Sequence, residues 1–147
     1  DTVTDNNTLL MWQRQDDGTT RAWADAAPYC SGLSLGGQSD WRIPEIHELQ
    51  TIVDFGKSGA LDATYFTGTN STGYYWSTTY AASSSKAWYM RVGNGTVGDS
   101  VKANTFYVRC VRGTNTTKSF TDNGDNTTTD TKTGLVWQRS TSGSGMN

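Results

Sequence analysis

The sequence predicts an α+β domain with two helices, a twisted antiparallel sheet and a long irregular loop region. Two amphipathic segments in the first third of the chain predict the helices, and later aromatic and β-branched runs predict the strands. The stretches between those runs are rich in Gly, Ser and Thr, which is typical of loops. Two distant cysteines, Cys30 and Cys110, complete the pattern and are expected to close the domain with a disulfide.

Composition limits the class of protein. The chain has 147 residues, which suits one ordinary domain with a short appendage. Its formal net charge of −2 provides no summed positive field for nucleic acid or an anionic membrane. No apolar run approaches the roughly 18 residues that span a bilayer, so no membrane insertion is predicted. The low charged fraction, 18%, with abundant Ser, Thr, Asn and Gly, is typical of a secreted protein that is extracellular or on the cell surface.

The cysteines point to an oxidising compartment. Cys30 and Cys110 show no CxxC spacing, and the chain has only one histidine, so a zinc site is not predicted. A disulfide is the better use of the pair. In the chain-entropy account, closing a loop of this length stabilises a fold by about 4 kcal/mol, and such bonds persist outside the reducing cytosol.

Both predicted helices lie before residue 54. Thr20 is the predicted N-cap of a helix from Arg21 to about Leu33, with apolar residues at three- and four-residue spacings. Pro28 interrupts that pattern and costs about 3 kcal/mol unless the helix kinks there. Residues 41–43 predict a short buried strand, and Pro44 suits the first position of the second helix. The apolar face of that helix is formed by Ile46, Leu49, Ile52 and Val53.

The later part of the first domain is expected to be mainly strand and loop. Alternating aromatic and β-branched residues predict strands at 74–78, 87–92 and 106–111. Gly93-Asn94-Gly95 is typical of a hairpin turn. The polar, Thr-rich residues 114–118 suit a linker.

An internal repeat is the most informative feature of the chain. Residues 5–14 recur as residues 130–139, and so long a period indicates whole domains in tandem. The counterpart of residues 119–125 in the first copy would lie before Asp1, so we expect a domain over 1–113 whose first hairpin is truncated. Residues 119–147 are then the start of a second repeat, consisting of a hairpin that turns at Asn123-Gly124-Asp125.

Six groups of residues together resemble a known family, in that family's order and spacing. They are Phe120–Asp125, Thr133–Trp137, Trp23–Ala26 with Tyr29–Cys30, Ser39–Pro44 with Glu48–Leu49, Tyr75–Thr78, and Val108–Gly113. As a set they resemble the Legionella collagen-like protein C-terminal domain family, as a tandem repeat member, over nearly the whole chain. The resemblance implies a C-type-lectin-like fold and an extracellular bacterial adhesin or binding domain. Pro28 departs from the pattern, where a small or aliphatic residue is usual.

The long-loop region contains the predicted ligand-binding surface. Aromatic faces mixed with hydrogen-bonding groups suit recognition of a glycan or a protein surface by loops on a rigid scaffold. An ordinary solvated loop is the alternative for each of these residues. The predicted binding residues are Tyr74, Tyr80, Ser84, Lys86, Asn94, Asp99, Lys102 and Asn104.

Two other groups of charged and polar residues each have two possible roles, one structural and one functional. Arg109 and Arg112 flank Cys110, and buried ion pairing with Asp25, Asp40 or Glu48 is the alternative to ligand contact. The oxygens of Asp122, Asn123 and Asp125 suit calcium. However, the calcium-loop pattern lacks its final Glu, and Asn-Gly-Asp is ordinary turn chemistry, so no metal or cofactor is predicted.

Three functions compete. The first is an adhesin-type binding module that recognises a glycan or protein on a surface, as one unit of a tandem array. The second is the structural repeat unit of a self-assembling extracellular fibre. The third is an oxidase like the formylglycine-generating enzymes, whose fold is related. That chemistry needs reactive cysteines, and no nucleophile with a base and an orienting group is visible, so we predict no enzymatic activity.

The tail supplies the expectation of self-association. Its apolar side must be covered, and adding a strand from one chain to the sheet of the next would form a head-to-tail oligomer through residues 119–147. An intramolecular fold-back and a disordered tail are the alternatives. The predicted assembly residues are Phe120, Leu135, Val136 and Trp137.

Overall fold

The computed structural model describes residues 1–56, 61–80, 83–114, 120–131 and 133–140, without the side chains of residues 79 and 80. The chain divides into two compact units, Asp1–Asn115 and Thr116–Asn147. The first unit combines helices with antiparallel sheets, which confirms the α+β class. The described part of the second unit is all strand and turn.

The first unit has two helices and eight strands within its described residues. The helices are α1 (Trp23–Ser31) and α2 (Ile46–Thr51). The strands are β1 (Thr2–Thr4), β2 (Met11–Gln13), β3 (Arg21–Ala22), β4 (Tyr74–Tyr80), β5 (Lys86–Arg91), β6 (Thr96–Val101), β7 (Thr105–Phe106) and β8 (Val111–Arg112).

The strands form three antiparallel sheets, ordered β1-β2-β8, β3-β7 and β4-β5-β6. In the largest sheet, β5 and β6 pair in unbroken register from Lys86 opposite Val101 to Arg91 opposite Thr96. The turn between them contains Gly93-Asn94-Gly95, as predicted, and Gly95 has a φ of +69° that favours glycine.

The core consists of two clusters of buried side chains. One includes Trp12 of β2 and Leu49 of α2, with Tyr75 and Met90 from the largest sheet. The other surrounds the disulfide and includes Trp41 and Trp76.

The Cys30–Cys110 disulfide is present, as predicted, and joins α1 to the residue immediately before β8. Both cysteines are fully buried, and their Cα atoms are 5.6 Å apart. Gln13 reinforces this junction, because its Oε1 accepts the Cys110 N–H at 3.1 Å and its Nε2 donates to the Tyr29 hydroxyl at 2.9 Å. The disulfide thus lies where α1, β2 and the residue before β8 meet.

The beginnings of both helices differ from the predictions. α1 begins at Trp23 with Ala22 as its N-cap, because Arg21 and Ala22 pair with β7 instead. The predicted N-cap, Thr20, therefore lies outside the helix, while Pro28 is accommodated inside it. α2 begins at Ile46, after Pro44, because Glu45 is the N-cap. The side chains of Glu45 and Glu48 each accept the other residue's backbone N–H, forming a capping box.

Two strand predictions also need correction. Residues 41–43 form no strand, and Arg42 makes only an isolated bridge with Val111. The run 106–111 is split between β7 and β8, with Arg109 buried between them. Its guanidinium bonds to Asp16, a residue that lies far away in sequence, so alternation of residue types does not reveal the interruption.

The second unit repeats the first hairpin and adds one strand. Its strands are β9 (Phe120–Asp122), β10 (Thr127–Asp130) and β11 (Val136–Gln138), with β10 in the middle, so the predicted hairpin is a three-stranded meander. The pairs Thr127–Gln138 and Thr128–Trp137 reproduce the register of Thr2–Gln13 and Val3–Trp12. The turn is also reproduced, since Leu9 N–H donates to Asp5 O at 2.8 Å and Gly134 N–H donates to Asp130 O at 2.8 Å.

The Arg42–Glu48 ion pair is expected to make stability pH-dependent. Glu48 is 2% exposed and accepts two hydrogen bonds of 2.7 Å from Arg42 and one from the Glu45 N–H. Burial alone raises the pKa of Glu48, but these bonds outweigh it and leave the pKa below its usual value. This stabilisation is complete above the unfolded-state pKa, about 4.3, and is lost as pH falls through the lower folded-state pKa.

Urea unfolding from neutral to acidic pH checks this expectation. Wild type should lose stability across the acidic window, and Glu48→Gln should be less stable at neutral pH with a shallower pH dependence. Parallel curves for the two proteins would show that Glu48 is not responsible.

Candidate ligand-binding surface

Five of the predicted binding residues lie together on the first unit and are called the polar cluster here. Its members are Ser84, Lys86, Asp99, Lys102 and Asn104. Lys86 Nζ lies 3.0 Å from Asp99 Oδ1, and Lys102 Nζ donates to the Ser84 carbonyl at 2.8 Å. Asn104 Nδ2 donates to the Ser100 hydroxyl at 2.8 Å. The members of the cluster supply two ammonium groups, a carboxylate, a side-chain amide and one side-chain hydroxyl.

The backbone around the polar cluster is held by regular structure. The unbroken β5–β6 register fixes Lys86 opposite Val101, and Lys102 N–H donates to Ser85 O at 3.0 Å. On the other side, Trp23 N–H at the start of α1 donates to Lys102 O at 3.0 Å. The Lys102 ammonium also lies over the Trp23 ring, 4.4 Å from its centroid. The backbone of these cluster residues is therefore hydrogen-bonded to the sheet and to the start of α1.

The other three predicted binding residues are not part of this cluster. Asn94 lies in the turn between β5 and β6, where its Oδ1 accepts the Thr96 N–H at 3.1 Å. The side chain of Tyr80 lies outside the described residues. Tyr74, at the start of β4, is 39% exposed and lines a separate pocket.

This second feature, the tyrosine pocket, is open to solvent and has a volume of about 240 Å³. Asn70 Nδ2 donates to the Tyr107 hydroxyl at 2.9 Å across its lining. The Tyr74 ring packs 5.2 Å from Phe106 and 5.1 Å from Tyr89, measured between ring centroids. The lining residues are Thr20, Asn70, Thr72, Gly73, Tyr74, Thr105, Phe106 and Tyr107. Of these residues only Tyr74 is a predicted binding residue, because the sequence pattern predicts that Phe106 and Tyr107 belong to one continuous strand.

A buried ion pair anchors the loop that forms one wall of this pocket. Arg109 is 1% exposed and donates to Asp16 at 3.0 Å and to the Thr69 hydroxyl at 2.7 Å. Tyr75 donates to the same Asp16 carboxylate at 2.6 Å. Burial, with this bond to Asp16, raises the pKa of Tyr75 well above its usual value, so the hydroxyl remains a donor. The bond to Thr69 holds the backbone immediately before Asn70.

Both arginines form ion pairs, but the prediction of buried pairs with Asp25, Asp40 or Glu48 is only partly confirmed: the Arg112 pair has a predicted partner and is exposed, whereas the Arg109 pair is buried and has another partner. Arg112 pairs with Asp40, with a 2.6 Å contact from Nε to Oδ1. Arg109 pairs with Asp16, which was not among the predicted partners. Glu48, a predicted partner, pairs with Arg42 instead.

The candidate residues of the second unit fall into two groups. The four predicted assembly residues are exposed: Phe120 by 53%, Leu135 by 54%, Val136 by 61% and Trp137 by 54%. The acidic groups near the turn have local partners, since Asp122 pairs with Arg139 and Asp125 accepts from Thr127. Within the described residues, no group of three His, Cys, Asp or Glu side chains is placed to hold a metal ion.

Comparison with known families identifies the first unit. The model of the Lcl C-terminal domain family matches residues 1–112, from the first residue to the end of β8. The chain belongs to this family. Membership indicates an extracellular module of the kind carried by a collagen-like protein. Both the polar cluster and the tyrosine pocket lie within the matched Lcl C-terminal domain.

Two further findings concern curated relatives and membrane-spanning helices. No curated protein sequence matches the chain. Among the residues that the structure describes, no helix has the length and apolar character needed to cross a membrane.

Proposed function

We propose that the first unit is a secreted, adhesin-type binding module with a C-type-lectin-like fold, which recognises a glycan or protein surface as one unit of a tandem array. The observation that carries this proposal is the polar cluster. It offers both signs of charge and neutral hydrogen-bonding groups on backbone that is held by the β5–β6 pairing and by the start of α1. Preorganised groups bind more tightly because less conformational entropy is lost on association.

The internal contacts of the cluster are of a kind that a ligand can replace. Side chains of Lys86 and Asp99 are 41% and 38% exposed, and an exposed ion pair contributes only about 0–1 kcal/mol. Exchanging this pair for charge-assisted bonds to a ligand therefore costs little. A buried pair such as Arg109–Asp16 offers no such exchange, because separating it leaves a buried charge without a partner.

Topology and sequence support the finer parts of the proposal. Two helices, a three-stranded sheet and long connections, with a disulfide from the first helix to the segment before the last strand of the unit, suit a C-type-lectin-like fold. The disulfide also suits secretion. The repeated hairpin supports a tandem array, because β10 and β11 reproduce the register of β1 and β2.

The same disulfide supports a function other than catalysis. An oxidase of the formylglycine-generating type requires reactive thiols, but Cys30 and Cys110 are bonded to each other and fully buried. We therefore retain binding as the proposed activity and propose no enzymatic one.

Removing the two ammonium groups is expected to weaken binding without unfolding the unit. The test protein is the double variant Lys86→Met, Lys102→Met, which keeps the length of both side chains. Charge-assisted hydrogen bonds contribute enough that binding should fall by about tenfold or more. Flow cytometry with labelled protein on epithelial cells, before and after glycosidase or protease treatment, measures the loss and distinguishes glycan from protein targets.

The matched control is Arg14→Met, which removes an exposed positive charge elsewhere on the unit. It should bind like wild type, and all three proteins should melt at similar temperatures. Equal loss of binding in the control, or undiminished binding by the double variant, would contradict a role for the polar cluster.

A second candidate function is the repeat unit of a self-assembling extracellular fibre. It is favoured by the four apolar side chains of the second unit, each of which is more than half exposed. Leu135, Val136 and Trp137 are consecutive in the chain, and exposed apolar residues grouped in this way are a common feature of interaction sites. Head-to-tail strand addition through this unit would cover them.

A further inference from the structure

We propose that the tyrosine pocket is a separate binding site for one uncharged saccharide ring. The inference rests on the proposed function only in taking the first unit to be a recognition module. The lining of the tyrosine pocket includes no member of the polar cluster, and the ligand chemistry of the two sites differs. Separate variants can therefore test each site.

The lining of the pocket selects against charge. It consists of three threonines, one asparagine, one glycine and three aromatic residues, with no ionisable acid or base other than the tyrosine hydroxyls. A charged ligand would lose hydration there without gaining an ionic partner. A neutral polyol, in contrast, can exchange hydrogen bonds with hydroxyl and amide groups at little net cost. The pocket therefore fits a ligand rich in hydroxyl groups and without formal charge.

Tyr74 supplies a surface for stacking. Its ring meets Tyr89 edge to face, with an interplanar angle of 88°, and packs against Phe106 at 33°. These contacts fix the ring while leaving the side chain partly exposed. Aromatic faces carry negative potential, and the C–H groups on one face of a pyranose ring carry partial positive charge, so the two surfaces attract. A ring that is already fixed loses little rotational freedom when a ligand stacks on it.

The other walls of the pocket are closely packed and hydrogen-bonded. A Cβ at Gly73 would lie 2.9 Å from the Tyr107 ring and 3.0 Å from Asn70 O, so only glycine fits without displacing them. Asn70 is fixed at both ends of its amide: Oδ1 accepts from Thr72, and Nδ2 donates to Tyr107. The amide nitrogen carries a second N–H donor, which is available for a ligand hydroxyl. The partly buried Arg109–Thr69 bond holds the chain just before these residues.

The size of the pocket limits the ligand. Its volume of about 240 Å³ is below the roughly 300 Å³ at which pockets for drug-sized molecules begin. One sugar ring, terminal or projecting from a longer glycan, is the unit that this space suits. Affinity for a single ring is expected to be millimolar, as for small ligands in open sites.

The test is a titration of the isotopically labelled full chain with methyl pyranosides of glucose, galactose, mannose and N-acetylglucosamine, followed by amide NMR shifts. We expect at least one of them to shift the amides of Thr72–Tyr74 and Thr105–Tyr107. Tyr74→Ala should weaken that binding by about tenfold, the loss expected for one stacking contact. Tyr74→Phe, which keeps the ring, should bind nearly as well as wild type.

The control is Tyr65→Ala, since Tyr65 is 57% exposed but does not line the pocket. Thr20→Trp provides a second variant that fills the pocket from its exposed rim and leaves the Tyr74 packing intact. It should abolish the shifts even if Tyr74→Ala proves too unstable to measure. Raising the ionic strength should leave the affinity unchanged, because an uncharged ligand is not screened.

The inference is overturned if none of the four sugars shifts pocket amides, if Tyr74→Ala and Thr20→Trp both bind normally, or if salt abolishes binding. The Lys86→Met, Lys102→Met protein separates this result from the proposed function. It should keep its sugar affinity while losing cell binding. Cell binding without any sugar response would leave the polar cluster supported and the pocket proposal wrong.

Discussion

Removal of the Cys30–Cys110 disulfide is expected to lower the free energy of unfolding of the first unit by about 4 kcal/mol. The two cysteines are 80 residues apart, so the bond removes a large part of the conformational entropy of the unfolded chain. A small domain has a total stability of about 5–15 kcal/mol. The reduced unit would therefore retain only part of its margin against unfolding.

Denaturant unfolding of wild type and of the double variant Cys30→Ala, Cys110→Ala measures this difference. Because both sulfurs are buried, reduction of wild type requires incubation in denaturant with the reductant before equilibration. Alanine is preferred to serine in the variant, since a hydroxyl would be placed among Trp41, Trp76 and Val108.

The double variant is also the control for the reductant. Its unfolding midpoint should be the same with and without reductant, whereas that of wild type should fall. Any transition of the second unit should not move, because the chain has no other cysteine. Equal midpoints for oxidised and reduced wild type would show that the bond contributes little, in conflict with the loop-entropy argument.

Local pattern was sufficient for elements whose side chains alternate along a single strand or face. It predicted β4, β5 and the turn at Gly93-Asn94-Gly95 because strand propensity and turn chemistry are properties of neighbouring residues. It placed the start of α1 at Arg21, whereas the helix begins at Trp23. The reason is tertiary: β3 pairs with Thr105 and Phe106, which no local window contains.

In the candidate site, too, local patterns were predictable from sequence and tertiary contacts were not. The polar cluster could be predicted as a set of polar loop residues, and the sheet register then brought Lys86 to Asp99 and Lys102 to Ser84. The tyrosine pocket could not be predicted, because Phe106 and Tyr107 resemble the first half of a buried strand. In the structure β7 ends at Phe106, and Arg109, three residues later, is directed inward to Asp16; an ion pair across such a distance in sequence leaves no local signal of this interruption.

Trp12→Ala is expected to destabilise the first unit by about 3–5 kcal/mol, as a large-to-small change in a packed core. Trp12 is fully buried among Leu10, Leu49 and Val111. Its indole N–H has no hydrogen-bond partner, so Trp12→Phe should cost less than the alanine change, because it removes that donor and keeps most of the apolar volume.

The repeat offers a matched control for this substitution within the same chain. Trp137 lies at the equivalent position of the second hairpin, opposite Thr128 as Trp12 lies opposite Val3, but its side chain is 54% exposed. Trp137→Ala should change the stability of the first unit by no more than about 0.5 kcal/mol. Thermal and denaturant melts of the two alanine variants measure the contrast. Similar losses of stability in the two variants would mean that Trp12 and Trp137 are in similar environments, which would contradict this prediction.

Trp137→Ala is expected to reduce self-association, although it leaves the stability of the first unit nearly unchanged. If Trp137, Val136 and Leu135 are covered by another copy, truncating the largest of them should reduce the oligomeric fraction seen by sedimentation velocity as concentration is raised. Deleting residues 114–147 should abolish that fraction while leaving a folded unit with its disulfide. Trp12→Ala cannot mimic this result, because it acts by unfolding and lowers the melting temperature. Assembly that persists after the deletion would place the contact on the first unit and refute head-to-tail association through the second, since the apolar strand residues thought to drive it would then be absent.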